Sequence, residues 1–538
     1  MLPGAYPFTK FNEGKSMIIV KQIVLFFSVC SFSLFAQQTR PERTNYEETS
    51  RYQDVIDFID ALKIDGASMK LSWLGYSTQG KRLPMIVYGD VPDVQPETIR
   101  KSGKLVVYIQ GNIHAGEVEG KEAMLELLRE LRAAKHTEWR RRLVLLIVPI
   151  LNADGNDMIS LHNRPWQHGP IAGMGQRANA QGLDLNRDHM KLESPEVLSF
   201  VRMLNEYDPH VTLDLHTTNG SFHGYHITYS FALNPVIDQG LDDYTRNVFF
   251  PIVEAKMESQ KWRIHRYGDY LEKTPAGKPG YFFWAHEPRF NSNYVGLRNR
   301  LGILCESYSY ISFRQRIAST KALVVNILDA VNGNSIAIKE VVTKADENTK
   351  NIHKYDSLAV RAEVVESNPA QEILLAAVKE DRNPYSGEIM FLMNEDSLKK
   401  IVTAEFYGTR ATKKALVPKR YIIPDSLMDV IALLRLQGVH MDRVNKAMTV
   451  IGQRFVISRN KQGEREFQKH KMRTLDGTFE SLEQTIPAGS YSVELNQPLS
   501  RIVFSLLEPE SEDGVAAWNF VDRYFGDGKY YPILKIVN

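Results

Sequence analysis

The segment His114-Ala115-Gly116-Glu117 sets an imidazole and a carboxylate three residues apart in a turn-forming stretch. Side chains so spaced can both reach one divalent metal. A distant histidine such as His216 then completes a three-ligand set that keeps a position open for water, the arrangement of a catalytic zinc. An H-x-x-E unit alone arises by chance in many long chains, and a histidine at a strand end is more often a polar partner than a ligand. Their shared placement gives the set its weight.

That placement follows from the elements around them. Residues 104–110 (KLVVYIQ) read as a strand buried on both faces, and GNIHAGE comes directly after it. Residues 143–150 (LVLLIVPI) form a second such run, followed by LNADGND and a long loop holding HNRPW and GLDLNRD. After HVTLDL, residues 210–215, comes His216, and after LGIL, residues 301–304, come Cys305, Glu306 and Ser307. Ligands of open α/β sheets bind outside the carboxyl ends of the strands. Four polar groups therefore meet at one sheet edge. Helical patterns over 46–62, 118–133 and 194–206 alternate with the strands, the last opened by Ser194 as N-cap and Pro195 at the first position. The pattern predicts an α/β domain with a mainly parallel or mixed sheet.

The composition excludes several classes. The chain has 538 residues, 43% hydrophobic and 24% charged, which is not the make-up of a disordered chain, a collagen or a coiled-coil rod. Its 66 Lys and Arg against 64 Asp and Glu leave a net charge of +2, without the basic excess of a nucleic-acid binder. Residues 17–36 carry one lysine, an apolar run and a small residue before Gln37, the layout of a secretory signal peptide. Residues 1–36 are expected to be removed, with Met17 as the start and cleavage after Ala36. Cys30 lies within the apolar run, but Val29 before it fits a lipoprotein site poorly. The mature chain then keeps Cys305 alone and no internal disulfide. Nothing later is apolar enough for a second span. Export to a bacterial periplasm or surface is the expectation, with no stable membrane insertion afterwards.

Over about residues 45–335 the sequence resembles the zinc carboxypeptidases of the carboxypeptidase A or funnelin type, peptidase family M14. The motifs that carry the resemblance are His114 and Glu117 in H-x-x-E, the Asp154-Gly155 turn, Asp184, Asn186 and Arg187 in D-x-N-R, His216 and Glu306. Exported bacterial members with an extra C-terminal region are the most similar. The resemblance implies an α/β fold, a mixed eight-stranded sheet flanked by helices. It also implies one Zn²⁺ per chain bound by His114, Glu117 and His216, with Glu306 as general base. Asn186 and Arg187 would hold the terminal carboxylate of a peptide, and Asp184 would accept the free ring N–H of His114.

The family's oxyanion arginine normally follows an N-R-x-W element. Here Asn163-Arg164-Pro165-Trp166 is followed by Gln167, which leaves Arg164, preferred on position, or Arg177. The family's mobile tyrosine is expected at Tyr281 or Tyr294. His223 and His226 read as loop histidines near the cleft. Residues 336–372 read as a linker, and residues 373–538 as a smaller accessory β-rich or α+β domain.

The resulting expectation is an exported zinc metallocarboxypeptidase acting on peptides or proteins with a free C-terminus, and no nucleic-acid partner. Two alternatives stay open at this point. One is a zinc amidohydrolase on the same scaffold, cleaving a cell-wall γ-glutamyl or other non-standard amide. The other is a catalytically silent peptide-binding protein, supported only by the displaced arginine.

Overall fold

The computed structural model describes residues 1, 38–64, 66–352, 357–525 and 528–537. The expected signal segment, its cleavage point and Cys30 lie outside the described residues. In chain order the strands of the catalytic half are β1 (Met69–Tyr76), β2 (Arg82–Tyr88), β3 (Leu105–Gly111), β4 (Leu143–Val148) and β5 (Val211–Thr217). They continue with β6 (Ile227–Phe231), β7 (Ile264–Arg266), β8 (Asp269–Leu271), β9 (Gly280–Phe282) and β10 (Leu301–Ser307). Among the described residues, eight of them form one sheet in the order β1-β2-β4-β3-β5-β10-β6-β7. β4, β3, β5 and β10 run parallel to one another, and antiparallel neighbours flank them. This is the mixed eight-stranded α/β sheet that the sequence predicts.

The parallel centre exists because its strands can be covered on both faces. Every residue of β3 and β4 is buried, as continuous Val, Ile and Leu runs require. The helix Glu119–Arg132 packs here, with Met124, Leu127, Leu128 and Leu131 on its apolar face. Glu119 and Glu122 lie in its first turn and Arg129 and Arg132 in its last, which suits the helix dipole. The helix Pro195–Tyr207 starts as expected, with Ser194 Oγ accepting from Val197 N at 3.3 Å. It ends at Asp208, which has a left-handed φ of 49°.

Residues 336–372 are not a linker. The helix Ser335–Lys350 and the strands Ser357–Val365 and Asn368–Leu375 occupy almost all of that stretch. Composition misleads here because a polar helix with one narrow apolar stripe, Ile338, Val342 and Ala345, looks like a solvated spacer. The C-terminal part is β-rich, as expected, but it shares structure with the catalytic half. The strand Lys399–Phe406 pairs in parallel with β9, so one four-stranded sheet is built from both halves. One apolar core likewise runs from Val55 to Ile533.

Close approach of helix and sheet sets the position of His216. A Cβ built on Gly120 lies 2.6 Å from Leu215 Cβ, the residue before His216. Gly120→Ala is expected to destabilise the fold by about 1–3 kcal/mol through overpacking, read as a lowered Tm in calorimetry. An unchanged Tm would show that helix and strand can part freely.

Candidate active site

His114 lies in the turn after β3, closed by Glu117 N donating to His114 O at 2.9 Å. His216 and Glu306 sit in register on adjacent strands, β5 and β10. Strand alternation then fixes their neighbours, since residues two apart share a face. Asp214 lies behind His216 and Leu304 beside Glu306, while Cys305 points to the opposite side and is buried.

The structure brings His114, Glu117 and His216 to one point. The two Nδ1 atoms are 3.1 Å apart, and they lie 3.1 and 2.9 Å from the Glu117 carboxylate oxygens. On the far side of each ring, His114 Nε2 is 2.9 Å from Asp184 Oδ1 and His216 Nε2 is 2.9 Å from Asp214 Oδ2. Asp184 keeps the His114 proton on Nε2 and turns that ring's Nδ1 lone pair inward, while Asp214 sets a negative charge beside His216 Nε2. Two ring nitrogens and an anionic carboxylate, all buried, thus face a common centre. Their separations are close to the ~3.3 Å edge of a tetrahedron with ~2.0 Å bonds. Burial works against a charged His216, yet Asp214 and Glu117 raise its pKa well above the usual imidazole value. The field at this point therefore favours positive charge, and the donor set fits zinc.

Burial pushes the Glu306 carboxyl up to about 8, with Glu117 adding to the shift and His216, Arg164 and Arg177 opposing it. Its Oε2 is buried with no hydrogen-bond partner. The carboxylate therefore keeps one oxygen unpartnered, in a residue that lines the same cleft as the ligand cluster. Around the cluster lies a cleft of ≈ 220 Å³. Arg177, Asn186 and Arg187 line it together with Phe283, Trp284, Ala285, Phe290 and Leu304.

The two candidate arginines separate clearly. Arg164 spends its donors on the scaffold, from Nε to Gln167 Oε1 and from NH1 and NH2 to Glu117 and the carbonyls of Thr217 and Thr218. Its side chain is 12% exposed. Arg177 pairs with Asp184 Oδ2 at 2.8 Å, keeps 46% of its side chain exposed and lines the cleft. Of the two, Arg177 has its side chain in the cleft, while Arg164, preferred on position, has its donors taken up by the scaffold. Arg164, from a backbone with φ of 49°, donates from NH1 to Glu117 Oε1 at 3.0 Å, the oxygen that also faces His114 and takes Arg177 NH1 at 3.4 Å.

Neither expected tyrosine reaches the cleft. The Tyr281 hydroxyl donates to Arg266 O at 3.1 Å, and its ring packs with Tyr225 and Ile373. The Tyr294 hydroxyl donates to Gln437 Oε1 in the interior. The phenol lining the cleft is Tyr267, in the short connection between β7 and β8. Nothing in RYGDY marks it in the sequence, because its position depends on which sheets the two strands join. His223 and His226 also separate. His223 is buried against Tyr308 with its pKa pushed down to about 3 by desolvation, and His226 accepts from Arg263 N.

Residues 55–219 match the profile of the zinc carboxypeptidase family, peptidase M14. Carboxypeptidase 2 of Trichophyton tonsurans is 23% identical over 494 residues, covering 86% of this chain and 83% of that protein. Carboxypeptidase 2 of Trichophyton rubrum is 24% identical over 498 residues, with the same coverage of both chains. Among solved structures, a metallo-carboxypeptidase from Burkholderia cenocepacia is 18% identical and covers 52% of this chain and 69% of its own, with a TM-score of 0.40. The profile match over residues 55–219, the two carboxypeptidase relatives and the His-Glu-His donor set make the protein a zinc metallocarboxypeptidase.

The ring contact to Asp184 has a measurable consequence. Asp184→Ala leaves His114 Nε2 without its carboxylate and is expected to weaken zinc binding about 10- to 100-fold, measured by competition with a chelator. Unchanged affinity would mean that His114 needs no such support.

Proposed function

We propose that the protein is an exported carboxypeptidase that removes single residues from the free C-terminus of peptides, with Glu306 as the general base. The observation that carries this reading is one cleft lined by the three ligand residues, by Glu306 with its unpartnered Oε2, and by Arg177, Asn186 and Arg187. His114, Glu117 and His216 would hold the zinc, which supplies a Lewis acid that polarises the scissile carbonyl and acidifies water.

Asn186 and Arg187 bind the substrate carboxylate. Arg187 is held flat, its guanidinium carbon 4.2 Å from the Phe290 ring centre, so that its planar fork is ready for two parallel hydrogen bonds. Glu306 takes a proton from the attacking water at Oε2 and delivers it to the departing amine nitrogen. Arg177 stands at the cleft wall to stabilise charge developing on the carbonyl oxygen. Tyr267 remains protonated, because burial raises its phenol well above the usual value, and offers a hydroxyl to the bound peptide. Arg164 steadies Glu117 by donating to its Oε1. With Arg177 in the cleft, the displaced arginine no longer favours a silent binding protein. Export rests on the signal-like segment 17–36.

The reading predicts that Glu306→Gln keeps its zinc but loses release of C-terminal residues, followed by mass spectrometry of a defined peptide mixture. Release at the wild-type rate would exclude Glu306 as the base. Arg177→Met is expected to lower kcat about 10²- to 10³-fold, and a smaller loss than from Arg164→Met would reverse the assignment. The aromatic and aliphatic wall favours an apolar terminal side chain. A peptide ending in Phe or Leu should be cut at least about tenfold more efficiently than one ending in Lys, and equal kcat/KM for the two would remove that wall from the specificity pocket.

A further inference from the structure

We propose that the C-terminal region positions the substrate-carboxylate clamp, acting through Gln468 at the tip of the hairpin formed by Met448–Gln462 and Arg473–Ile486. The inference rests on the reading of Asn186 and Arg187 as that clamp. The hairpin tip reaches the catalytic half, and Gln468 Oε1 accepts from Asp184 N at 2.8 Å. Asp184 caps the short turn Leu185–Arg187, its Oδ1 accepting from Asn186 N at 2.9 Å. Gln468 therefore holds the one backbone N–H that enters this turn.

The backbone of the tip is arranged for that contact. Phe467 and His470 exchange backbone hydrogen bonds of 2.8 and 3.0 Å across a two-residue turn. Gln468 and Lys469 both have positive φ, 52° and 65°. Such turns ordinarily use Asn-Gly or Gly-Gly, since other residues are strained there. Here two long side chains accept the strain, and one of them reaches Asp184. The tip is also clamped on both flanks. His470 Nε2 lies 2.8 Å from Glu193 Oε1, in the loop that follows the D-x-N-R turn, and Phe467 stacks on the buried Trp518.

Two further contacts from the C-terminal region meet the other side of the clamp. Asp513 accepts from Arg289 N and NH1 at 2.8 and 2.7 Å. The two residues after Arg289 are Phe290, on which Arg187 lies, and Asn291, whose N–H donates to Asn186 Oδ1 at 2.8 Å. Buried Gln437 donates from Nε2 to His189 O at 3.0 Å. The loop with Asn186 and Arg187 is thus gripped directly by Gln437, Gln468 and His470, and through residues 289–291 by Asp513. Gln468 is the one to test, because it is only half-buried and its replacement leaves the core intact.

The experiment compares the holoenzyme with Gln468→Met, which keeps the length and loses the acceptor, and Gln468→Glu, which keeps an acceptor at the same reach. Each is assayed on a free-acid peptide and its C-terminally amidated counterpart, with zinc content and Tm recorded and Arg187→Met as reference. For Gln468→Met the expected result is a rise in KM for the free acid of about tenfold. Its kcat should be nearly unchanged, its zinc content full, and its preference for free acid over amide reduced by a similar factor. Gln468→Glu should restore that preference. If Arg187→Met loses the preference while Gln468→Met retains it, this inference is overturned and the clamp reading stands. A preference unchanged in Arg187→Met overturns both. Equal loss of Tm and kcat in Gln468→Met with the preference intact would show a merely structural contact and also overturn it.

Discussion

The buried carboxylate of Asp184 ties together groups that would otherwise belong to separate loops. One oxygen takes His114 Nε2 and Asn186 N, and the other takes Arg177. Burial disfavours its charge, yet His114, Arg187 and Arg177 hold its pKa well below the usual range. It therefore stays anionic wherever the protein is folded and active. A metal ligand, the arginine proposed for the oxyanion and the turn proposed to hold the substrate share one anchor. Their relative positions are consequently set by a single side chain and not by the length of the loop between residues 150 and 194.

The sheet supplies the other constraint. With β5 and β10 parallel and in register, His216 and Glu306 are neighbours by backbone pairing, and alternation places Asp214 and Leu304 on the same face. A one-residue slip would turn all four away from the cleft. The C-terminal region adds support from outside the sheet through a shared strand pairing, a common core and polar contacts to the Asp184–Arg187 turn. An enzyme that binds its substrate by one terminal carboxylate needs that turn held still, because misplacing a bidentate clamp forfeits the geometry that makes it selective.

Much of this was legible before any coordinates. The buried strands announce themselves by continuous apolar runs, and the polar residues that follow them fall at one edge for topological reasons. His114, Glu117, His216 and Glu306 were visible because each directly follows, or ends, such a strand. Arg177 was harder, since it lies in a long loop whose path periodicity does not describe, and sequence position alone favoured Arg164. Tyr267 leaves no pattern in the sequence because it lies in the two-residue connection between short strands of two different sheets. The stretch 336–372 reads as a linker because its helix carries one narrow apolar stripe among polar residues. Gln468 carries no sequence mark at all. Its role arises from a turn that meets the catalytic half 284 positions away.

The central claim is that three side chains converge on one zinc and that the rest of the site is arranged around them. Anomalous diffraction at the zinc edge from crystals of the zinc-loaded protein tests it most directly. The account predicts one strong peak enclosed by His114 Nδ1, His216 Nδ1 and the Glu117 carboxylate. Among the described residues, the other grouping of potential ligands is His136, Glu138 and Asp329 at the surface. A peak there with none between the two histidines would contradict the account.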